Sequence, residues 1–256
     1  MPFTISHAAA AIPFRRTRLV LSALIVGTMA PDFEYFMHGR IIGRLSHNFQ
    51  GAFEFCLPAS LIVLAVFHWV LKRPVVTLLP NSVQRRIVFR DFDFWPLSRF
   101  LLICASILIG IATHLVWDNF THSGRWAVEH IAWFQHSTTF FGHSMVNYKL
   151  AQNLSTLLGL ALLAAWFAYW YRMQPTHDLP VYSLSSGAKF LIVTSIIAIA
   201  TALGLARALI LLGSKPISAV FIGNLVVATV STAILELLIF SLVIRKRLND
   251  HAPANS

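Results

Sequence analysis

The sequence predicts an all-α, polytopic membrane protein: about five transmembrane helices after a short N-terminal half-span or interfacial helix. Three observations carry this reading. Of 256 residues, 57% are hydrophobic and only 12% charged, whereas soluble domains carry about a quarter charged residues. The mean hydropathy is +0.68. Apolar runs recur at bilayer-crossing length, with Lys and Arg clustered between them, and about 20 apolar residues at 1.5 Å rise cross a hydrocarbon core.

The elements follow in order. "MPFTISHAAAAIPFRR" places its charge after a short apolar stretch rather than before it, unlike a secretory leader. It reads as a small-residue helix that Thr4 or Ser6 can cap. "LVLSALIVGTMAPDF" offers only about a dozen apolar residues before Pro31 stops it, a length that suits a half-span. Five longer runs follow at 57–71, 98–118, 151–171, 189–212 and 217–244, the first extendable back to Gly51. "RRIVFRDFDFWPLSR" reads as a partly amphipathic connector with Asp91 and Asp93 solvated, and the polar tail 249–256 as disordered. With no repeat and no Gly/Ser linker, residues 1–256 read as one helical membrane domain. Residues 1–145 carry the chemistry-bearing motifs, and 146–248 add further spans.

The formal net charge is +10. No aromatic and basic interleaving marks a nucleic-acid platform, so the charge reads as topology signalling and headgroup attraction, with no nucleic-acid partner. Lys72, Arg73, Arg85, Arg86 and Arg90 in one loop, and Arg245, Lys246 and Arg247 at the end, fall on one side of five spans. By the positive-inside rule that side is cytoplasmic, and a bacterial inner membrane is the expected location. Arg15, Arg16 and Arg18 are discordant: they sit inside if 19–30 crosses and outside if it is re-entrant. Cys56 and Cys104 give neither a disulfide framework nor a thiolate metal knuckle.

The chemistry concentrates at the ends of apolar segments. In "GIATHLVWDNFTHSG", His114, Asp118 and His122 stand four residues apart. At 100° per residue they form one helical stripe. Ionisable groups at membrane depth cost about 2.5–3.5 kcal/mol on insertion scales, so they usually face a protein interior. "FTISHAAAAIP" adds His7, "GTMAPDFEYF" adds Asp32 and "RLSHNFQGAFEF" adds His47. Imidazole and carboxylate without thiolate suit zinc, manganese or iron; zinc is expected first and manganese second. The metal candidates are His7, Asp32, His47, His114, Asp118 and His122, with Asp32 or Glu54 as the base that orients or deprotonates water. His136 and His143 in the 119–150 loop are open candidates, whereas His68 reads as a packing residue and Arg207 as a snorkelling one.

Together "MPFTISHAAAAIPF", "GTMAPDFEYF", "SHNFQGAFEF" and "THLVWDNFTHSGRW" resemble a family of bacterial membrane proteins similar to the predicted membrane-bound metal-dependent hydrolases. The likeness is carried by residues 1–145. More distantly, the order His7, Asp32, His47 and His114 with Asp118 is similar to the zinc-dependent phospholipase C and single-strand nuclease superfamily. That resemblance implies one metal on Asp32, His47, His114 and Asp118, with His7 sharing Asp118 at a second. The chain departs where the superfamily has a His-x-x-x-Glu pair: His143 is followed by Asn147, and an amide replaces a carboxylate poorly. The expected function is a metal-dependent hydrolase of a phosphoester, with a membrane lipid or lipid-linked substrate. A membrane scaffold with a structural metal and a transporter are the other readings.

Overall fold

The computed structural model describes residues 4–43, 45–140, 142–178, 184–212 and 218–250. Five helices are long and apolar enough to cross a membrane: Phe49–Leu78, Leu97–His130, Asn147–Met173, Ser186–Leu211 and Ala219–Arg245. The chain is an integral membrane protein with an all-α fold, as the apolar runs anticipate. The helices are labelled α1 (Leu21–Met29), α2 (Phe33–His38), α3 (Phe49–Leu78), α4 (Leu97–Thr121), α5 (Asn147–Met173), α6 (Ser186–Leu212) and α7 (Ala219–Asp250). Two short strands, β1 (Ser137–Phe140) and β2 (His143–Val146), pair antiparallel, with Ser137 opposite Val146 and Phe140 opposite His143.

The chain divides into two units. The first comprises Met1–Phe33, Arg44–Leu64 and Phe94–Arg172. Its N-terminus is a 3₁₀ helix, Thr4–Arg16, that turns at Thr17 and returns as α1. A 3₁₀ run of 13 residues is unusual. Here Ala8, Ala9 and Ala11 are buried, and small side chains let the narrow helix lie close against its neighbours. Neither limb of this hairpin is among the five spans, so the half-span expectation corresponds to a hairpin folded back on itself.

The hairpin packs on α4 through glycine. A side chain at Gly27 would strike the Ile107 carbonyl, and one at Gly110 the Leu24 carbonyl, so both glycines permit direct backbone approach. Leu24, Ile103, Ile107 and Ile111 fill the seam and are fully buried. The Val20 N–H donates to Ser106 Oγ at 2.9 Å, fixing the register of α1 on α4. Gly159 of α5 opens the same kind of approach to Ser6.

Helix boundaries in this unit follow local chemistry. Pro31 lies in a 3₁₀ turn, Ala30–Asp32, that ends α1. Asn48 caps α3, its Oδ1 accepting from Gly51 N–H at 2.8 Å. Within α3, Ala52–Cys56 and Phe67–Leu71 are π-helical. α4 begins after Pro96 and stops at His122, and Gly124 at φ +73° lies in the turn that follows.

The second unit comprises Glu34–Gly43, Ala65–Asp93 and Met173–Ser256. There α6 and α7 form a hairpin in which a side chain at Gly204 would strike Thr229. Polar groups fasten segment ends. Arg207 donates to the carbonyls of His38 (2.7 Å) and Gly39 (3.1 Å), and Ser231 Oγ donates to Phe36 O at 2.8 Å. Asn224 accepts from Ile41 N–H at 3.1 Å, and Lys189 donates to Asn81 Oδ1.

Candidate metal centre

Six of the sequence-selected side chains converge in the first unit: His7, Asp32, His47, His114, Asp118 and His122. His7 and Asp32 are each 1% exposed, as is His114, and Asp118 is 3% exposed. The fold delivers them separately. The 3₁₀ helix carries His7, the turn behind Pro31 carries Asp32, and the segment before the Asn48 cap carries His47. The last two turns of α4 carry His114 and Asp118, with His122 at its end.

His114 is oriented by the backbone. Its Nδ1 lies 2.7 Å from Thr28 O; a carbonyl only accepts, so Nδ1 carries the proton and Nε2 the free lone pair. That nitrogen has no hydrogen-bond partner and faces two carboxylates, 3.3 Å from Asp118 Oδ2 and 3.9 Å from Asp32 Oδ1. His47 Nε2 faces the same pair, 3.5 Å from Asp32 Oδ1 and 3.7 Å from Asp118 Oδ2. Its Nδ1 lies 2.8 Å from the buried Ser46 Oγ. Four side chains therefore alternate imidazole and carboxylate around one centre.

The other oxygen of Asp118 serves a second set. Asp118 Oδ1 lies 3.6 Å from His7 Nε2 and 3.3 Å from His122 Nδ1. The His7 ring stacks on His114 with centroids 3.9 Å apart and an interplanar angle of 22°, and Trp117 meets it edge-on at 5.3 Å. His122 Nε2 lies 3.4 Å from Gln152 Nε2 of α5.

These spacings match a cation's needs. Bonds of about 2.0–2.2 Å from nitrogen and oxygen ligands to zinc place neighbouring ligand atoms roughly 3–3.5 Å apart. Two groups have ligand atoms all within 4.8 Å of one another: His7, His114 and Asp118, and Asp32, His47 and His114. Both His7 nitrogens, His114 Nε2, Asp32 Oδ2 and Asp118 Oδ1 are buried without a hydrogen-bond partner. Burying such atoms unsatisfied costs about 1–3 kcal/mol each, more where charge is involved, and divalent cations held by these two groups would answer one His7 nitrogen, His114 Nε2 and Asp118 Oδ1. Burial, reinforced by the neighbouring His114, pushes His7 down to about 3 against the pull of Asp118 and Asp32. At neutral pH its imidazole is uncharged and able to act as a ligand.

The remaining candidates lie elsewhere. Glu54 is exposed on α3 and accepts a 2.8 Å hydrogen bond from Gln50 Nε2; no ion pair joins it to the cluster among the described residues. His136 and His143 are exposed at the β-hairpin. Asn147 is a fastener there: its N–H donates to His136 O and its Nδ2 to Trp133 O, while its Oδ1 accepts from Thr138. His68 packs, stacked on Phe92 with centroids 3.8 Å apart.

Sequence reasoning missed three supporting groups. Arg125 Nη1 donates to His47 O at 3.0 Å, Thr28 supplies the carbonyl that orients His114, and Gln152 reaches His122. Only Arg125 left a trace, as one of two cations in a loop otherwise rich in His and Trp. A carbonyl's role has no sequence signature.

A family model described as Domain of unknown function (DUF4184) matches residues 1–242, so the chain belongs to that family. The match runs through both the cluster and the last spans. No curated protein and no solved structure matches the chain.

Proposed function

We propose that this DUF4184 member is a membrane-embedded metal-dependent hydrolase acting on a phosphoester of a lipid or lipid-linked substrate. The observation that carries the reading is the convergence of unpartnered imidazole nitrogens and carboxylate oxygens at one buried point. Asp32, His47, His114 and Asp118 would hold one divalent cation, zinc before manganese. His7 and His122 would hold a second through the other oxygen of Asp118. Bound there, such a cation lowers the pKa of water and polarises a phosphoryl oxygen.

The chain's own groups supply the rest. The Thr28 carbonyl keeps the proton of His114 on Nδ1, so its Nε2 stays a ligand. Asp32 presents Oδ1 to the two imidazoles and keeps Oδ2 unpartnered; Oδ2 is the atom to accept a proton from the attacking water. Glu54, exposed and tied to Gln50, takes no part. The substrate class rests on location. By helical rise, Asp118 lies about 32 Å from Leu97 along α4, at the far edge of a hydrocarbon core about 30 Å thick. Phe49, Trp126 and Trp133 expose their rings on the adjoining elements, as interfacial aromatics do. Positive-inside bias puts this end on the extracytoplasmic side of a bacterial inner membrane.

One observation favours a second reading. Asp32, His47, His114 and Asp118 are four side chains that alone would supply the closed four-ligand set of a structural metal, and a scaffold would need no more. Hydrolysis of a lipid phosphoester by metal-loaded protein, lost on chelation and restored when the metal is returned, supports the enzyme. Full metal loading without turnover of any phosphoester supports the scaffold.

A further inference from the structure

The hairpin at the N-terminus carries a second feature, at the end away from the metal cluster. Its tip holds Arg15, Arg16 and Arg18, all exposed. No ion pair or hydrogen bond engages any of their guanidinium groups among the described residues, and the turn is built without them. Thr17 N–H and Oγ1 both return to Phe14 O, at 2.9 and 2.7 Å, and Thr17 Oγ1 accepts from Leu19 N–H at 3.3 Å. Three permanent cations thus extend from a turn that does not need them for its own folding.

The depth of the tip is fixed by its neighbour. Val20, just past the arginines, donates to Ser106 of α4. Ser106 is nine residues from the start of α4 at Leu97, about 14 Å by helical rise. The open end of the hairpin, with His7 and Asp32, lies beside His114 and Asp118 near the other end of α4. The tip therefore points away from the metal cluster, toward the side where α4 begins, and stops within the thickness of the span. Guanidinium groups at that depth are costly unless they meet an anion or water. Long arginine side chains reach outward to the headgroup layer.

We propose that Arg15, Arg16 and Arg18 form a binding site for the phosphate groups of anionic phospholipids, in the leaflet opposite the metal cluster. The anions within reach of such outward-extended side chains are lipid headgroups, and planar guanidinium donors suit phosphate oxygens. The site anchors the hairpin that delivers His7 and Asp32, and it does not depend on the hydrolase reading.

The test is native mass spectrometry of the full chain, stripped of lipid in neutral detergent and titrated with phosphatidylglycerol, phosphatidylcholine or inorganic phosphate. Wild-type protein is expected to prefer phosphatidylglycerol, and raised salt to erase the preference. The triple variant Arg15→Gln, Arg16→Gln, Arg18→Gln is expected to bind it on the order of 100-fold more weakly. Arg15→Lys, Arg16→Lys, Arg18→Lys keeps the charge and is expected to retain the preference. Circular dichroism checks that the variants remain helical. If the glutamine variant unfolds, the wild-type salt dependence and the lysine variant decide. Equal phosphatidylglycerol binding by wild type and a folded glutamine variant would overturn the proposal. So would a wild type with no preference, or displacement of the lipid by inorganic phosphate, which would identify a soluble anion as the occupant. A basic tip that serves only to orient the chain would show the second of these results.

Discussion

Both units bury polar groups within an apolar fold, but they use them differently. In the second unit, Arg207, Ser231, Asn224 and Lys189 close hydrogen bonds onto carbonyls, an N–H or an amide. Orphaned atoms among its described residues include Gln84 Oε1, the oxygens of Glu236 and Ser241 Oγ, on two separate segments. Among the described residues no group of metal-ligating side chains assembles there. In the first unit the orphaned atoms of His7, Asp32, His114 and Asp118 come from three segments and meet. Buried polarity alone therefore does not make a site; convergence of donors that leave one another unsatisfied does.

The contrast can be broken most forcefully at its centre. Asp118 is the one carboxylate with an oxygen in each set, so Asp118→Ala is expected to reduce phosphoesterase activity by more than about 100-fold, beyond the usual loss for an outer supporting group. Glu236→Gln in the second unit is expected to leave activity unchanged. Equal losses in a detergent-micelle phosphoester assay would erase the distinction between the units.

Removing a supporting contact should cost less. Arg125→Ala frees the His47 carbonyl while leaving all six candidate ligands in place, and metal affinity is expected to fall by about 10–100-fold. A competitive chelator titration measures this. Unchanged affinity would make Arg125 a loop fastener with no influence on the centre.

Backbone approach gives a matched pair. Gly110→Ala pushes a methyl group toward the Leu24 carbonyl, and Gly204→Ala pushes one toward Thr229. Each is expected to destabilise by about 1–3 kcal/mol, but only Gly110→Ala should also weaken metal binding, because α1 leads directly to Asp32. Thermal unfolding with and without added zinc separates the two effects.

The smallest effect is pH-linked. His7 falls from 6.5 to about 3 on folding, so the unfolded chain binds the proton more tightly between those values. Its contribution to stability is present above about pH 6.5 and is lost as pH falls toward 3. In metal-free protein the melting temperature is expected to drop across that window, and His7→Gln to flatten the drop. An unchanged slope would mean that the surroundings of His7 do not resist its protonation.

The spans were legible because twenty apolar residues in a row have few other uses, and the stripe His114, Asp118, His122 because helical spacing is local. The N-terminal hairpin was not, since a dozen apolar residues behind three arginines fit either a crossing or a return. Only the meeting of His7 and Asp32, from the two limbs, at the same end of α4 decides between them. Asp32 and His47 could be named as candidates, but their meeting with His114 is a tertiary fact. The β-hairpin at 137–146 and the π-helical turns of α3 left no pattern, and Asn147 signals a fastener only once Trp133 and His136 are beside it.

The most direct measurement is the metal content of purified wild-type protein, Asp118→Ala and His47→Ala, joined to X-ray absorption at the metal edge. One or two zinc or manganese ions per chain, ligated by nitrogen and oxygen only and lost in both variants, is the result the convergence requires. Wild-type protein that stays metal-free after incubation with zinc and manganese would contradict it, leaving His114 and Asp118 as buried groups without a cation to explain them.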